Sequence, residues 1–266
     1  MELPRQDPDQ LLQAIREETD RDARPGKLKI FFGYAAGVGK TYAMLQAAHQ
    51  AVERGVDVVA GYIEPHARPR TMALVQGLEQ LPVKQVRHGD ITLREFDLDA
   101  ALTRRPGLIL VDELAHTNAP GCRHVKRYQD VQELLRAGID VYTTVNVQHI
   151  ESLNDTVASI TGVPVRERIP DSVFDGADQV ELVDLEPADL LERLREGKVY
   201  RPRQAAQAMG NFFTSKNLAS LREIALRRTA DRLDAAPWLD GDEKPKAGEH
   251  VLICLSSSPS NAKVIR

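Results

Sequence analysis

The run Gly33-Tyr34-Ala35-Ala36-Gly37-Val38-Gly39-Lys40-Thr41 brings together residue types that phosphate chemistry needs. Glycines let successive N–H groups turn toward an anion with no Cβ in the way. A helix opening at Lys40 would add the partial positive charge of its N-terminus. Lys40 is then expected to reach the β- and γ-phosphates of a nucleotide, and the Thr41 hydroxyl to ligate Mg²⁺. The strict pattern of such a loop puts its first glycine at position 34, which is Tyr34 here, and Gly33 lies one residue early. The entry to the loop is therefore expected to differ. The binding set read from this stretch is Gly33, Gly37, Val38, Gly39, Lys40, Thr41 and Tyr42, with ATP and Mg²⁺ as ligands.

A second group of candidates follows the apolar run Leu108 to Val111, which ends in Asp112-Glu113. Ligands of open α/β sheets bind beyond the C-terminal ends of the strands, so a carboxylate there is well placed for a metal. Asp112 is expected to hold Mg²⁺ with Thr41, through water. Two residues compete as the base that activates water: Glu113, next to Asp112, and Glu64, which follows the strand after the first helix. The position of Glu64 matches that of a water-activating glutamate in RecA-like ATPases, an analogy of fold alone. The strand ending in Thr143, Thr144, Asn146 and Gln148 offers a γ-phosphate contact, and Asn146 is the residue chosen for it. Arg123, His124, Lys126 and Arg127 close a long loop. They are expected either to be solvated or to touch phosphates, a neighbouring subunit or another domain.

The elements that must position these residues alternate in type. Leu28 to Phe32, Val56 to Ile63, Leu108 to Val111 and Ile139 to Val147 read as buried strands. Lys40 to Glu53, Thr71 to Gln80, Asp97 to Arg104 and Arg127 to Ala137 read as helices between them. Val83 to Phe96 reads as one short strand and a loop. The pattern predicts an α/β fold of the P-loop NTPase type, with a mostly parallel sheet flanked by helices. Beyond residue 163 come a strand at Gln179 to Leu185, a helix at Pro187 to Arg195 with proline in its first turn, and a helical C-terminal extension over 203–234 broken near Gly210. Residues 8 to 20 read as a short helix, within an N-terminal segment spanning 1–25. The nucleotide-binding domain is assigned to 26–234 and a linker to 235–249. Residues 250–266 are read as the truncated start of a second domain, with a strand at Val251 to Leu255.

Composition bounds the partners. A formal net charge of −4 gives no reason to expect nucleic acid. Two cysteines, Cys122 and Cys254, have no metal-ligand spacing and suit a reducing, cytoplasmic setting. No apolar run approaches the roughly 18 residues of a membrane span, so direct membrane contact is not expected of this chain. A homodimer stays open.

Four stretches carry a resemblance. Lys29 to Leu45, containing Gly-Tyr-Ala-Ala-Gly-Val-Gly-Lys-Thr, is one. Leu110-Val-Asp-Glu-Leu-Ala-His-Thr-Asn-Ala-Pro-Gly, Tyr142-Thr-Thr-Val-Asn-Val-Gln-His-Ile-Glu-Ser-Leu-Asn-Asp and Glu181 to Leu194 are the others. Together they resemble the N-terminal cytoplasmic domain of the KdpD family, potassium- and turgor-responsive sensor histidine kinases, from about residue 5 to the end. The resemblance implies continuation into a universal-stress-protein-like domain, whose first strand His250 to Pro259 looks like, then membrane helices and a kinase core. It implies that ATP at Gly37 to Thr41 regulates kinase and phosphatase activity toward a response regulator controlling a potassium-uptake ATPase. The alternative is a self-contained P-loop ATPase or small-molecule phosphotransferase.

Overall fold

The computed structural model describes residues 24–64, 69–89, 91–197, 199 and 212–235. Its centre is a six-stranded sheet. Strand β1 (Leu28–Gly33) leads through the glycine-rich loop into helix α1 (Lys40–Glu53). There follow β2 (Val58–Tyr62), the short α2 (Pro69–Ala73), β3 (Glu79–Gln80), β4 (Lys84–His88), β5 (Ile91–Glu95) and α3 (Leu98–Arg104). Then come β6 (Leu108–Val111), α4 (Arg127–Arg136), β7 (Asp140–Asn146), two 3₁₀ turns (Val147–His149 and Glu151–Leu153), α5 (Asn154–Thr161) and α6 (Asp171–Asp175). Strand β8 (Gln179–Leu182), α7 (Pro187–Arg195) and α8 (Ser215–Ala235) complete the described chain.

The strand order is β3-β2-β6-β7-β1-β8, and every neighbouring pair in that sheet is parallel. Both faces are covered, which is why the central strands read as unbroken apolar runs rather than alternating ones. Phe31, Val58, Ala60, Leu108 and Leu110 face α1, where Met44, Leu45, Ala48 and Ala51 recur at helical spacing. Ile30, Phe32, Ile109, Val111, Val141 and Val145 face the opposite layer, built by α3, α4, α5, α6, α7 and α8. The expected α/β architecture with a mostly parallel sheet and helices on both sides is present.

Three local expectations are corrected. The helix expected over Thr71 to Gln80 stops at Ala73. Beyond it the backbone tightens into i→i+3 bonds, such as Val75 N to Met72 O at 3.2 Å, and Gly77 takes φ +88°. Val75 and Leu78 drop into the core below α1, and Glu79–Gln80 joins the sheet edge. The single strand expected within Val83 to Phe96 is an antiparallel hairpin of β4 and β5, paired from Lys84↔Glu95 to His88↔Ile91, with Gly89 at φ +59° in its turn. Helices α5 and α6 fill a stretch for which no element was expected. The expected helix over 8–20, the break near Gly210, the linker over 235–249 and the strand at Val251 to Leu255 lie outside the described residues. Asp97 caps α3 through its carboxylate, which accepts from Ala100 N at 3.1 Å, a contact worth about 1 kcal/mol.

Candidate functional site

Register places the chemistry. Gly33 pairs with Asn146, Val111 pairs with Thr143, and Asp112 N donates to Tyr62 O at 2.9 Å. The C-terminal ends of β1, β2, β6 and β7 therefore meet along one edge, where ligands of parallel α/β sheets bind. A cleft of about 600 Å³ opens there, its volume counted out to solvent, lined by residues that include Gly37, Gly39, Lys40, Thr41, Asp112, Glu113, Asn146 and His149.

The glycine-rich loop turns at two positive-φ glycines, Gly37 at +94° and Gly39 at +115°. Gly39 is the N-cap of α1 and no side chain caps the helix, so the donors of its first turn have no side-chain acceptor at that cap. Gly33 allows a close approach. A Cβ there would lie 2.7 Å from Val38 Cγ2 and 3.1 Å from Lys40 Cδ. The Lys40 ammonium donates to Ala35 O at 3.1 Å and to Asn146 Oδ1. Thr41 Oγ1 donates to Asp112, with Oδ2 the nearer oxygen at 3.2 Å. Lys40, Thr41 and Asp112 are all buried. Two hard oxygen ligands thus face each other beside a cation and an uncapped helix N-terminus. The residues present fit a polyphosphate with a hard divalent cation such as Mg²⁺, which needs few protein ligands.

Asp112 is held from three sides. Thr144 Oγ1 donates to its Oδ1 at 2.5 Å, and the N–H groups of Glu113 and Glu64 donate at 3.1 and 3.4 Å. Thr144 Oγ1 also accepts from Glu113 N at 3.2 Å, and Thr144 O accepts from Leu114 N at 3.0 Å. This pins Glu113 in a left-handed kink, φ +59°, a costly conformation for a residue with a Cβ. The kink turns Glu113 into the cleft lining. There its pKa is pushed up to about 7, first by the cleft walls displacing water and then by the carboxylates of Asp112 and Glu64, although the residue still opens to solvent. Glu64 directs its own carboxylate at the Tyr62 hydroxyl, which donates to it at 2.7 Å. Of the two candidate bases, Glu113 alone lines the cleft. Val38 is buried, and Tyr42 stands 39% exposed, outside the cleft lining.

In the basic loop, Arg127 is corrected: it is neither solvated nor open to a phosphate or a partner. Arg127 is wholly buried, donates to Glu95 Oε2 at 3.0 Å and to Asp112 O at 3.1 Å, and stacks over Tyr62 at 4.2 Å. Arg123 pairs with Asp99 and Glu133, His124 with Glu133, and Lys126 with Thr117 Oγ1 at 2.7 Å. All four are engaged within the chain, because buried Glu95 must be neutralised and the loop from His116 must be tied down. Glu95 also receives His116 Nε2 at 3.1 Å and Ala119 N at 2.9 Å. Sequence reasoning missed this support, and missed His149, whose Nδ1 lies 2.8 Å from Glu167 O. Burial lowers the His149 pKa, which leaves the ring neutral with Nδ1–H as donor. A histidine just past a strand that ends at the cleft was the available signal. Among the described residues, no group of three or more His, Cys, Asp or Glu is arranged to hold a metal, and no helix is long and apolar enough to cross a membrane.

Comparison with known proteins bears on identity. The family described as KdpD, osmosensitive K⁺ channel His kinase sensor domain, matches residues 24–233. Three proteins named sensor protein KdpD are similar to the chain. The one from Clostridium acetobutylicum is 59% identical over 98% of this chain and 30% of its own length. That from Escherichia coli K12 is 54% identical over 98% and 29%, and that from Mycobacterium tuberculosis H37Rv 47% identical over 91% and 29%. The chain spans about a third or less of these relatives' length. On the family match over most of its residues, the chain belongs to the family of KdpD osmosensitive K⁺ channel histidine-kinase sensor domains.

Proposed function

We propose that the chain is a nucleotide-binding regulatory domain of the P-loop NTPase type, which binds Mg-ATP in the cleft between the glycine-rich loop and Asp112. The observation that carries this reading is the convergence of Lys40, Thr41 and Asp112, three buried polar groups from α1 and the residue that follows β6, beside an uncapped helix N-terminus. Loop N–H groups from Gly37 to Thr41 and the Lys40 ammonium would hold phosphates, with Thr41 and Asp112 holding the metal. The metal, when bound, neutralises phosphate charge and polarises the terminal phosphorus–oxygen bonds. Asn146 accepts from Lys40 through Oδ1, and its Nδ2 amide would be the group that donates to the γ-phosphate.

Family membership supports the wider setting, a sensor histidine kinase whose catalytic core lies elsewhere in a longer protein. In that setting the domain is cytoplasmic. Its nucleotide state tunes phosphorylation of a response regulator controlling a potassium-uptake ATPase, through downstream domains and with a homodimer as one available state. The second reading, a P-loop ATPase or small-molecule phosphotransferase, is favoured by one feature: Glu113 faces the cleft with its pKa raised toward neutrality, as a general base requires.

The test is calorimetric titration of the chain with Mg-ATP beside Lys40→Ala. Binding by the unsubstituted chain, weakened at least tenfold by the substitution, is expected. An unchanged affinity in Lys40→Ala would sink the assignment. Steady phosphate release that Glu113→Gln abolishes would favour the enzyme over the regulator.

A further inference from the structure

Tyr34 occupies the position where a phosphate loop ordinarily begins with glycine, yet its side chain does not enter the cleft. It is fully buried, and its hydroxyl donates to Leu185 O at 2.8 Å, beyond the end of β8. Burial, with Asp184 nearby, raises its pKa further above the cleft's working range, so the hydroxyl stays a donor. The chain after β8 then follows the back of the loop. Val183 Cγ1 comes within 3.9 Å of where a Cβ on Gly39 would stand. A Cβ on Gly37 would meet Val199 at 2.7 Å and Leu190 at 3.0 Å. Arg193 Nη1 donates to Gly37 O at 3.3 Å. Val183, Leu185, Leu190, Arg193 and Val199 thus approach the loop at Tyr34, Gly37 and Gly39.

The same segment is clasped from outside by α8. Arg222 Nε donates to Asp184 Oδ1 at 2.8 Å, its Nη2 to Asp184 Oδ2 at 2.5 Å, and its Nη1 to Glu186 Oε2 at 2.8 Å. The planar guanidinium fork holds both carboxylates in fixed geometry, which a point charge would not do. Asp184 and Glu186 flank the one residue whose carbonyl receives the Tyr34 hydroxyl. Leu185 is therefore held between the loop and α8.

We propose that Tyr34, Arg193 and Arg222 are positioning residues of the nucleotide site, and that they tie the conformation of its phosphate loop to helix α8. The proposal rests on the nucleotide reading above. A loop that shifts as it closes on phosphates strains or breaks its contacts to Leu185 and Arg193, and that change is passed to the clasp on α8. By reciprocity, loosening the clasp weakens the ligand.

The experiment is hydrogen exchange of the full chain with and without saturating Mg-ATP, with affinities measured in parallel for Tyr34→Phe and Arg222→Gln. In the unsubstituted chain, nucleotide should change exchange across both 183–197 and 215–235. Tyr34→Phe, which keeps the ring and loses the hydroxyl, should weaken Mg-ATP about threefold to tenfold. At equal saturation it should show little nucleotide response in α8. Arg222→Gln, at a guanidinium that bonds Asp184 and Glu186 rather than the loop, should also weaken Mg-ATP, a result that loop packing alone would not give. Unchanged affinity and unchanged α8 response in both variants would overturn the coupling. So would tight binding by the unsubstituted chain with no response in α8, which leaves the nucleotide reading standing. Absence of any Mg-ATP binding overturns the nucleotide reading, and the coupling falls with it.

Discussion

Thr143 and Thr144 are neighbours on β7 with side chains on opposite faces, and their hydroxyls have opposite circumstances. Thr144 donates to Asp112 and accepts from Glu113 N, so it orients that carboxylate and the kink beside it. Thr143 is fully buried, packed against the far layer, and its Oγ1 has no hydrogen-bond partner. A buried polar group without a partner costs about 1–3 kcal/mol. Thr143→Val, equal in shape, is therefore expected to leave stability unchanged or raise it by about 1 kcal/mol, with Mg-ATP affinity unaltered. Thr144→Val should lower stability by about 1–3 kcal/mol and weaken the Mg²⁺ dependence of nucleotide binding. Urea unfolding of both variants, with calorimetry at several Mg²⁺ concentrations, checks the pair. Equal effects of the two substitutions would show that the hydroxyl on Asp112 does not orient it.

At the scale of elements, what could be read from sequence was what local pattern dictates. Strands β1 and β6 and helices α1 and α7 came out within about a residue at each end, because apolar run, glycine turn and first-turn proline are local signals. The convergence of Lys40, Thr41 and Asp112 was legible through motif spacing. The hairpin of β4 and β5 was missed although Gly89-Asp90 separates its strands, because its residues are largely polar and hide the alternation. The ties of Arg127 to Glu95 and Tyr34 to Leu185 span 32 and 151 residues, and no window on the sequence pairs them. His149 belongs to the same class. It sits in the 3₁₀ turn after β7, facing the Glu167 main chain and the charges of Glu167, Lys40 and Lys126. Burial lowers its folded pKa below the usual value near 6.5. Above that value the ring is neutral in both states and its contribution to stability is complete. As pH falls, the unfolded chain takes a proton that the fold refuses, and stability is lost down to the folded pKa. His149→Asn retains a donor for Glu167 O without the titration. The stability gap between wild type and variant should shrink as pH drops from about 7 to about 5, read by urea unfolding across that series. Parallel curves would mean that the folded ring accepts its proton freely.

For the whole molecule, the C-terminal helix is not an extension laid on a finished domain. Leu218, Leu221 and Ala225 are buried in the same core as Phe32, Val145 and Leu190, on the sheet face opposite α1. Arg228 reaches back to Asp175 at 2.6 Å and stacks on Phe174 at 4.8 Å, and Phe174 in turn meets Phe32 of β1 edge-on. The helix whose Arg222 grips Asp184 and Glu186 is therefore packed against the strand that delivers the glycine-rich loop. Such packing predicts one cooperative unit. Leu221→Ala should remove about 2–5 kcal/mol, a large share of the roughly 5–15 kcal/mol of a whole domain. That loss should appear equally in the slowest-exchanging amides of β1 and of α8. Native-state hydrogen exchange in low denaturant measures both. If α8 amides exchange through an opening that leaves β1 protected, and Leu221→Ala changes only that opening, the helix is a separate layer. Its response to nucleotide would then be local docking and undocking. If β1 and α8 lose protection together, a shift at the loop and a shift at the helix are two readings of one structural equilibrium, and a bound polyphosphate biases both ends at once.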